Sequence, residues 1–418
     1  MQSTMAWPRL FERTGRSLRR SDIRDLLAVT ARPDIINFGG GLPAPELFPV
    51  EELRRAFNQV LIADGPAALQ YGLTEGHRPL RELIAQRAGR RGISCSPDDV
   101  MITTGSQQAL DLLGEVFLSP EMKVLIEGPS YVGALQAFAA QQARFIPFPM
   151  DEEGLVVPAV TRWLDHERTG SRPDQTAFFY TVATFQNPSG VSMSLPRRLE
   201  LISLSHSFGL PIVEDDPYSE LCYGSQAPPA IRANAGGEDV IYLGTFSKIL
   251  SPGLRLGYVI APGQVIERLV VAKQGRDLHT DGLSQRAVVE YCRHHDIDEH
   301  IERLRAAYGE RRNAMLAALK NSMSEVAEWT EPQGGMFLWV TLDPSIDTTE
   351  LLSEALEQRV AYVPGSAFHT DGSGRNCMRL NFTNSTGDQI QEGIARLGRL
   401  IKSRVHEARR ATATAIVR

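Results

Sequence analysis

Lysine is the residue this chain nearly lacks: of 44 basic side chains only five are Lys (Lys123, Lys248, Lys273, Lys320, Lys402), against 39 Arg. Chemistry that needs an amine nucleophile therefore has five candidates. Cysteine is scarce too, with Cys95, Cys222, Cys292 and Cys377 far apart and no C-x-x-C pair. That excludes a disulfide framework or a zinc ribbon and leaves lone buried thiols. No stretch approaches the roughly eighteen consecutive apolar residues of a membrane span. The opening MQSTMAWPRLFERTGRSLRR has no apolar segment of signal-peptide length behind its charges, so a cytoplasmic protein is expected. A net charge of −6 offers no basic excess to attract nucleic acid or an anionic membrane. The G-x-x-x-x-G-K-[ST] pattern of an NTPase and the G-x-G-x-x-G of a dinucleotide fold are both missing.

With 418 residues, 42% of them apolar, the chain is long enough for one large domain and a smaller one. Residues 1–45 read as an Arg-rich arm closing in the Gly- and Pro-rich NFGGGLPAP, too irregular for helix or strand. Over 46–285, buried-strand runs (DVMITTG, KVLIEGPSY, QTAFFYTVATF, LPIVEDDPY, DVIYLGTF) alternate with helix-length segments. That alternation predicts an α/β domain with a mainly parallel sheet covered on both faces. Over 286–403 the texture changes to charged helices followed by the strands GGMFLWVTL and NCMRLNFT, a smaller α+β domain. Residues 404–418 are expected to be a frayed tail.

The chemistry collects at predicted strand ends. Lys248 follows the apolar run DVIYL in GTFSKILSPGLRLG, with Thr245, Ser247 and Arg255 nearby; these are residue types that bind a phosphate while leaving an amine beside it. Read alone, it could equally be a surface lysine. Glu214-Asp215-Asp216-Pro217-Tyr218 also ends an apolar strand, where ligands sit in open α/β sheets. A carboxylate there could pair with a pyridinium nitrogen, or could cap the next helix. Thr104-Gly105-Ser106-Gln107 is a strand-to-helix turn whose free N–H groups suit an anion. Asn187 in FQNPSG is a turn former or a ligand group, and Arg379 inside CMRLNF must find an anion or a structural partner. An amine, a phosphate cradle, a strand-end carboxylate, an aromatic such as Tyr131 and a carboxylate-binding Arg together are what pyridoxal phosphate chemistry requires. His294-His295-Asp296-Ile297-Asp298-Glu299-His300 lacks the i, i+4 pairing of helical metal sites and is read as a solvated face, so no metal site is expected.

From about residue 20 to 400 the chain resembles the fold-type I pyridoxal-phosphate aminotransferases of class I/II, most like the 2-aminoadipate and kynurenine aminotransferase group. The matching segments include SDIRDLL, FGGGLPAPELFP, LQYGLTEGHRPLRELIA, ITTGSQQALDLLGEVFL, EGPSYVGALQAF, FQNPSG, VEDDPYSEL, GTFSKILSPGLRLGYV, KQGRDLHT, PQGGMFLWV, YVPGSAF and MRLNF. The resemblance implies a seven-stranded, mainly parallel sheet in the large domain. It implies that Lys248 anchors the cofactor and shuttles a proton, Asp215 keeps the pyridine nitrogen protonated, Tyr218 and Asn187 bind the ring oxygen, and Tyr131 stacks on the ring. Gly105, Ser106, Gln107, Thr245, Ser247 and Arg255 would surround the phosphate. Tyr71 would reach the phosphate of a neighbouring subunit, implying a homodimer with shared sites. Arg379 would grip the substrate α-carboxylate, Gly40 would approach it closely, and Arg24 would meet a distal carboxylate such as that of 2-aminoadipate or glutamate, swinging aside for apolar side chains. The implied activity is ping-pong transfer of an amino group to a 2-oxo acid such as 2-oxoglutarate. Elimination, cyclisation or oxidation on the same fold would use the same motifs. A cofactor-sensing transcription regulator is disfavoured by the roughly twenty residues ahead of SDIRDLL. Thr245 stands where serine is usual, and Tyr180-Thr181-Val182-Ala183-Thr184 is more polar than the family pattern.

Overall fold

The structure, a computed structural model, describes residues 34–168, 175–224 and 226–416. In chain order the main elements are β1 (Ile36–Asn37), α1 (Val50–Ala68), α2 (Arg78–Arg90), β2 (Val100–Thr103), α3 (Ser106–Phe117), β3 (Lys123–Gly128), α4 (Val132–Ala140), β4 (Arg144–Asp151), β5 (Gly154–Leu155), α5 (Val157–Arg168), β6 (Thr176–Thr181), α6 (Leu195–Phe208) and β7 (Ile212–Asp215). They continue with β8 (Ile241–Thr245), β9 (Gly257–Ile260), α7 (Gly263–Gln274), α8 (Gly282–His294), α9 (Ile297–Met323), β10 (Ala327–Trp329), β11 (Phe337–Leu342), α10 (Thr348–Glu357), β12 (Val360–Ala361), β13 (Val363–Pro364), β14 (Cys377–Asn381) and α11 (Gly387–Ile416).

The large sheet runs β2-β9-β8-β7-β6-β3-β4-β5. Its strands β2, β7 and β8 are buried at every position, which is why they read as continuous apolar runs without alternation. Seven strands match the expected number; the eighth is the two-residue edge strand β5. Strands β8, β7, β6, β3 and β4 are parallel, whereas β9 is antiparallel to both β2 and β8. That reversal positions the site. Thr103 and Thr245, the last residues of β2 and β8, both lie opposite Gly257, the first of β9. Arg255 thus enters at the edge where Thr104, Asp215 and Thr245 leave.

A second sheet, β10-β11-β14-β13, is antiparallel throughout, and β1 pairs in parallel with β12. One contiguous apolar core contains Leu110 and Val259 from the large-sheet region and Leu304, Phe337, Leu380 and Leu397 from the C-terminal region. The anticipated boundary at 285/286 falls inside α8, whose start is fixed by Asp281 accepting hydrogen bonds from the Leu283 and Ser284 amides. Asp296 caps α9 by accepting the Asp298 amide, and the charged helical stretch is two helices.

At the C-terminal end the described residues from 404 onward continue α11 as far as Ile416. Ile390, Ile394, Leu397, Ile401 and Val405 form a buried stripe at helical spacing that carries the helix onward, and Arg404 pairs with Glu354 and Glu407. His300, read with its neighbours as solvated, is buried: it shares the inward face of α9 with Ile297, Ile301 and Leu304. Among the described residues no group of three or more His, Cys, Asp or Glu could hold a metal ion, and no helix is long and apolar enough to cross a membrane.

Candidate active site

At the strand edge described above lies a cavity of about 380 Å³ whose walls include Lys248, Asp215, Tyr218, Tyr131, Asn187 and Arg379. A larger one, about 670 Å³, opens behind Phe185 and Trp329, but its lining has no lysine, histidine or arginine. Chemistry, rather than size, selects the smaller cavity.

The three acids of Glu214-Asp215-Asp216 go separate ways. Glu214 accepts the Ile231 and Arg232 amides and lies 3.6 Å from the Arg198 guanidinium. Asp216 is bonded by Arg91, Tyr242 and Ser219; it accepts the Ser219 amide across a turn, and no helix follows directly, so the helix-cap alternative does not hold for this motif. Of the three, only Asp215 has no cation of a described residue beside it. Its Oδ2 accepts from the Tyr180 hydroxyl at 2.9 Å, while Oδ1, buried, has no hydrogen-bond partner among the described residues. Burial pushes the Asp215 carboxyl up to about 7, an effect the Tyr180 hydroxyl partly offsets and the Asp216 charge reinforces.

The sign of that shift gives a stability prediction for the cofactor-free protein. An acid whose folded pKa lies above its unfolded value holds extra protons in the folded state between about 4 and about 7, so its contribution to stability falls as pH rises through that window. Asp215→Asn keeps an acceptor for Tyr180 and removes the charge. It is expected to melt higher than wild type at pH 8, by a few kcal/mol in stability, with the gap closing towards pH 4. Thermal melts of both proteins across that range check this; a gap independent of pH would refute the assignment of an unpaired charge.

Lys248 lies three residues beyond the end of β8, and its Nζ donates to the Gly41 carbonyl at 2.9 Å. Burial, with the charges of Arg379 and Arg255, lowers its pKa to about 8. None of the other four lysines lines this cavity. Lys123 pairs with Glu167, and Lys273, fully buried, bonds Gln108 and Asp277.

Across the cavity, Gly105 precedes α3 with φ +77°, and a Cβ there would meet Arg255 Nη2 at 2.4 Å. Glycine is what lets the guanidinium lie against the helix start. Arg255 Nη2 also donates to the Thr104 carbonyl, and Thr245 Oγ1 accepts from the Ser247 amide and shares a hydrogen bond with its hydroxyl. With Ser106 at the first turn of α3, this is a cluster of hydroxyls, free amides and one guanidinium suited to a dianion. Gln107 lines the same wall and donates to the Gly133 carbonyl. Tyr131 lies at the start of α4; a Cβ on Gly133 would strike its ring, so that glycine leaves room for the ring.

Arg379 sits mid-strand on β14, opposite Trp339 on β11. Its Nη1 donates to Asn187 Oδ1 at 2.8 Å and its Nη2 to the Gly39 carbonyl at 2.7 Å; its Nε has no partner. The guanidinium carbon lies 4.2 Å from the Phe337 ring centre and 5.0 Å from that of Phe368. Asn187 Nδ2 in turn approaches the Tyr218 hydroxyl at 3.5 Å. The structural salt bridge that the sequence allowed for Arg379 is not formed with any described residue.

Of the residues singled out from sequence, Ser106, Gln107, Tyr131, Asn187, Asp215, Tyr218, Thr245, Ser247, Lys248, Arg255 and Arg379 line one cavity. Gly105 stands behind Arg255, and Gly40 is held in the Phe38–Gly41 turn by Asn37 Oδ1. Tyr71 is 78% exposed, edge-on to His279 and away from this cavity within the chain. Arg24 lies outside the described residues. Sequence reasoning missed Tyr180 and Phe337. The unusual polarity of the Tyr180 segment was the available signal for the first; Phe337 offered none beyond an apolar strand.

A family model for aminotransferase class I and II matches residues 33–397. The chain is 43% identical over 401 residues to a 2-aminoadipate transaminase of Thermus thermophilus, covering 95% of this chain and 98% of that protein. It is 42% identical to an aromatic-amino-acid aminotransferase of Thermococcus litoralis, covering 96% and 95%. Among solved structures, an α-aminoadipate aminotransferase of Thermus thermophilus, complexed with N-(5′-phosphopyridoxyl)-L-leucine, superposes with a TM-score of 0.88 at 42% identity, covering 96% of this chain and 99% of that one. A cavity-facing lysine amine, a buried carboxylate without a cation and an anion cradle on one sheet edge agree with that likeness, and the chain belongs to the class I and II aminotransferase family.

Proposed function

We propose that this enzyme, an amino-acid aminotransferase using pyridoxal 5′-phosphate, moves the α-amino group of an L-amino acid of the 2-aminoadipate, glutamate, aromatic or branched-chain type to a 2-oxo acid such as 2-oxoglutarate. The observation that carries the reading is Asp215: a buried carboxylate whose second oxygen has no partner among the described residues fits a protonated pyridine nitrogen, a positive charge that the cofactor's ring supplies. The cradle of Ser106, Thr245, Ser247 and Arg255 fits its phosphate, and Tyr218 and Asn187 fit its ring oxygen. When bound, the cofactor supplies an electron sink for charge developing at the substrate α-carbon.

The chain's own residues do the rest. Asp215 holds a proton on the ring nitrogen. Lys248, with its lowered proton affinity, would take the proton from the substrate α-carbon and deliver it to the cofactor's C4′, and the reverse in the second half of the cycle. Arg379 presents two N–H groups to the α-carboxylate in a fork that lysine would not reproduce. Tyr131 covers one face of the ring and limits water there. Arg24 meets a distal carboxylate when the substrate has one.

The active form is a cytoplasmic homodimer in this reading. Ile62, Leu69, Tyr71 and Leu73 are each more than two-thirds exposed, an apolar surface that a second copy would cover, bringing Tyr71 to the neighbour's phosphate. Single-turnover mixing tests the reaction. Enzyme with amino acid and no oxo acid is expected to convert stoichiometrically to the aminated cofactor and stop, with 2-aminoadipate, glutamate, aromatic and branched amino acids compared. Sustained turnover without an oxo acid would mean elimination, cyclisation or oxidation instead.

A further inference from the structure

Tyr180 is fully buried, outside the cavity lining, and its hydroxyl has one partner, Asp215 Oδ2. The ring itself needs no hydroxyl to be there. Phe178 and Tyr180 point to the same face of β6, and both pack edge-on against Phe138 of α4, at 5.2 and 5.7 Å. A phenylalanine at 180 would fill that place equally well, whereas a buried phenol is retained where its O–H finds a partner.

Pairing of the adjacent parallel strands β6 and β7 sets Tyr180 opposite Val213, so the phenol reaches along the sheet to the last residue of β7. The contact uses one carboxylate oxygen and leaves the other free at the cavity. We infer that Tyr180 is a positioning residue for this reaction: by holding Asp215 Oδ2 it fixes the carboxylate plane and reserves Oδ1 for the cofactor's ring nitrogen. The inference rests on the function proposed above. Glu214 and Asp216 have their own cations and do not compete for the phenol.

The test is Tyr180→Phe in the cofactor-loaded enzyme, with and without Asp215→Asn. Tyr180→Phe is expected to lower kcat about tenfold, the scale of one hydrogen bond to a charged group, with KM for the amino acid within about twofold. It is also expected to loosen pyridoxal phosphate several-fold in equilibrium dialysis and to shift the nitrogen-15 resonance of ring-labelled cofactor. In the Asp215→Asn background the same change should leave cofactor affinity unaltered, because Asn still accepts from Tyr180 but the charge that Tyr180 aims at the ring nitrogen is gone. An equal loss of affinity in both backgrounds, or an unmoved resonance and kcat, would overturn the inference. Should the phenylalanine variant not fold, 3-fluorotyrosine at position 180 keeps the shape and strengthens the donor; it must move the resonance, and an unmoved one overturns the inference equally. A wild-type protein that takes up no cofactor would overturn the functional reading and this inference with it, whereas a wild type that loads normally beside an indistinguishable Tyr180→Phe overturns the inference alone.

Discussion

Lys248→Ala is expected to abolish turnover, with a loss of at least about 10⁴-fold, because one amine serves both as covalent anchor and as the proton carrier. No other lysine lines the cavity, so no neighbour can substitute. The variant should also lose the visible absorbance of lysine-bound cofactor. Borohydride reduction of wild type should attach the cofactor to the peptide containing Lys248 and to no other. The lowered pKa adds a pH signature. At pH 7.5 an amine titrating at about 8 is about a quarter neutral, against about a thousandth for an ordinary lysine at 10.5. Only the neutral amine can attack, so capture of pyridoxal phosphate by the cofactor-free protein should speed up as pH rises to about 8 and then level. Full activity of Lys248→Ala, or labelling of another lysine, would overturn the assignment.

Arg379→Ala carries the second largest effect. Its fork already packs against two phenylalanine rings with no carboxylate of a described residue beside it, and burial lowers its pKa to about 10. A desolvated cation of this kind gains most when an anion arrives, so truncation should weaken amino-acid binding by about 2–5 kcal/mol. Arg379→Lys should rescue little, since an ammonium neither fills the slot between Phe337 and Phe368 nor offers two parallel N–H groups. The measurement is the spectral titration of each variant with amino acid. An unchanged apparent affinity in Arg379→Ala would remove the carboxylate role. Cofactor affinity serves as the control and should hardly move, because Arg379 is not among the phosphate-cradle residues.

Most of the cavity residues were legible because they follow the ends of large-sheet strands, which announce themselves as apolar runs halted by Gly, Ser, Asp or Asn; Arg379, mid-strand on β14, was legible instead as a charge inside an apolar run. Asp215 could not be told from its neighbours by position alone; what separates the three is which already has a cation, and Arg91 and Arg198 come from distant parts of the chain. Tyr180 was hidden because a hydrogen bond between adjacent strands depends on register, which a sequence does not display. Its segment was noticeable only as more polar than the family pattern. The reversed strand β9 was equally silent: GYVI reads the same in either direction, yet its direction returns Arg255 to the cradle. The burial of His300 was open to the same periodicity argument used elsewhere, and the local density of charge masked the apolar stripe there.

The glycine segment has a consequence for the timing of the cycle. Arg379 and Lys248 are not bare cations awaiting a guest: the carbonyl of Gly39 occupies one and that of Gly41 the other. An arriving α-carboxylate therefore meets Arg379 in place of a neutral backbone oxygen, and the affinity observed is the excess of a charged contact over a neutral one. When the oxo acid departs, the same carbonyls are at hand to take its place, which eases release. An enzyme that must part with one product before meeting its second substrate gains from a grip that is specific in shape and whose cation is not left bare between guests.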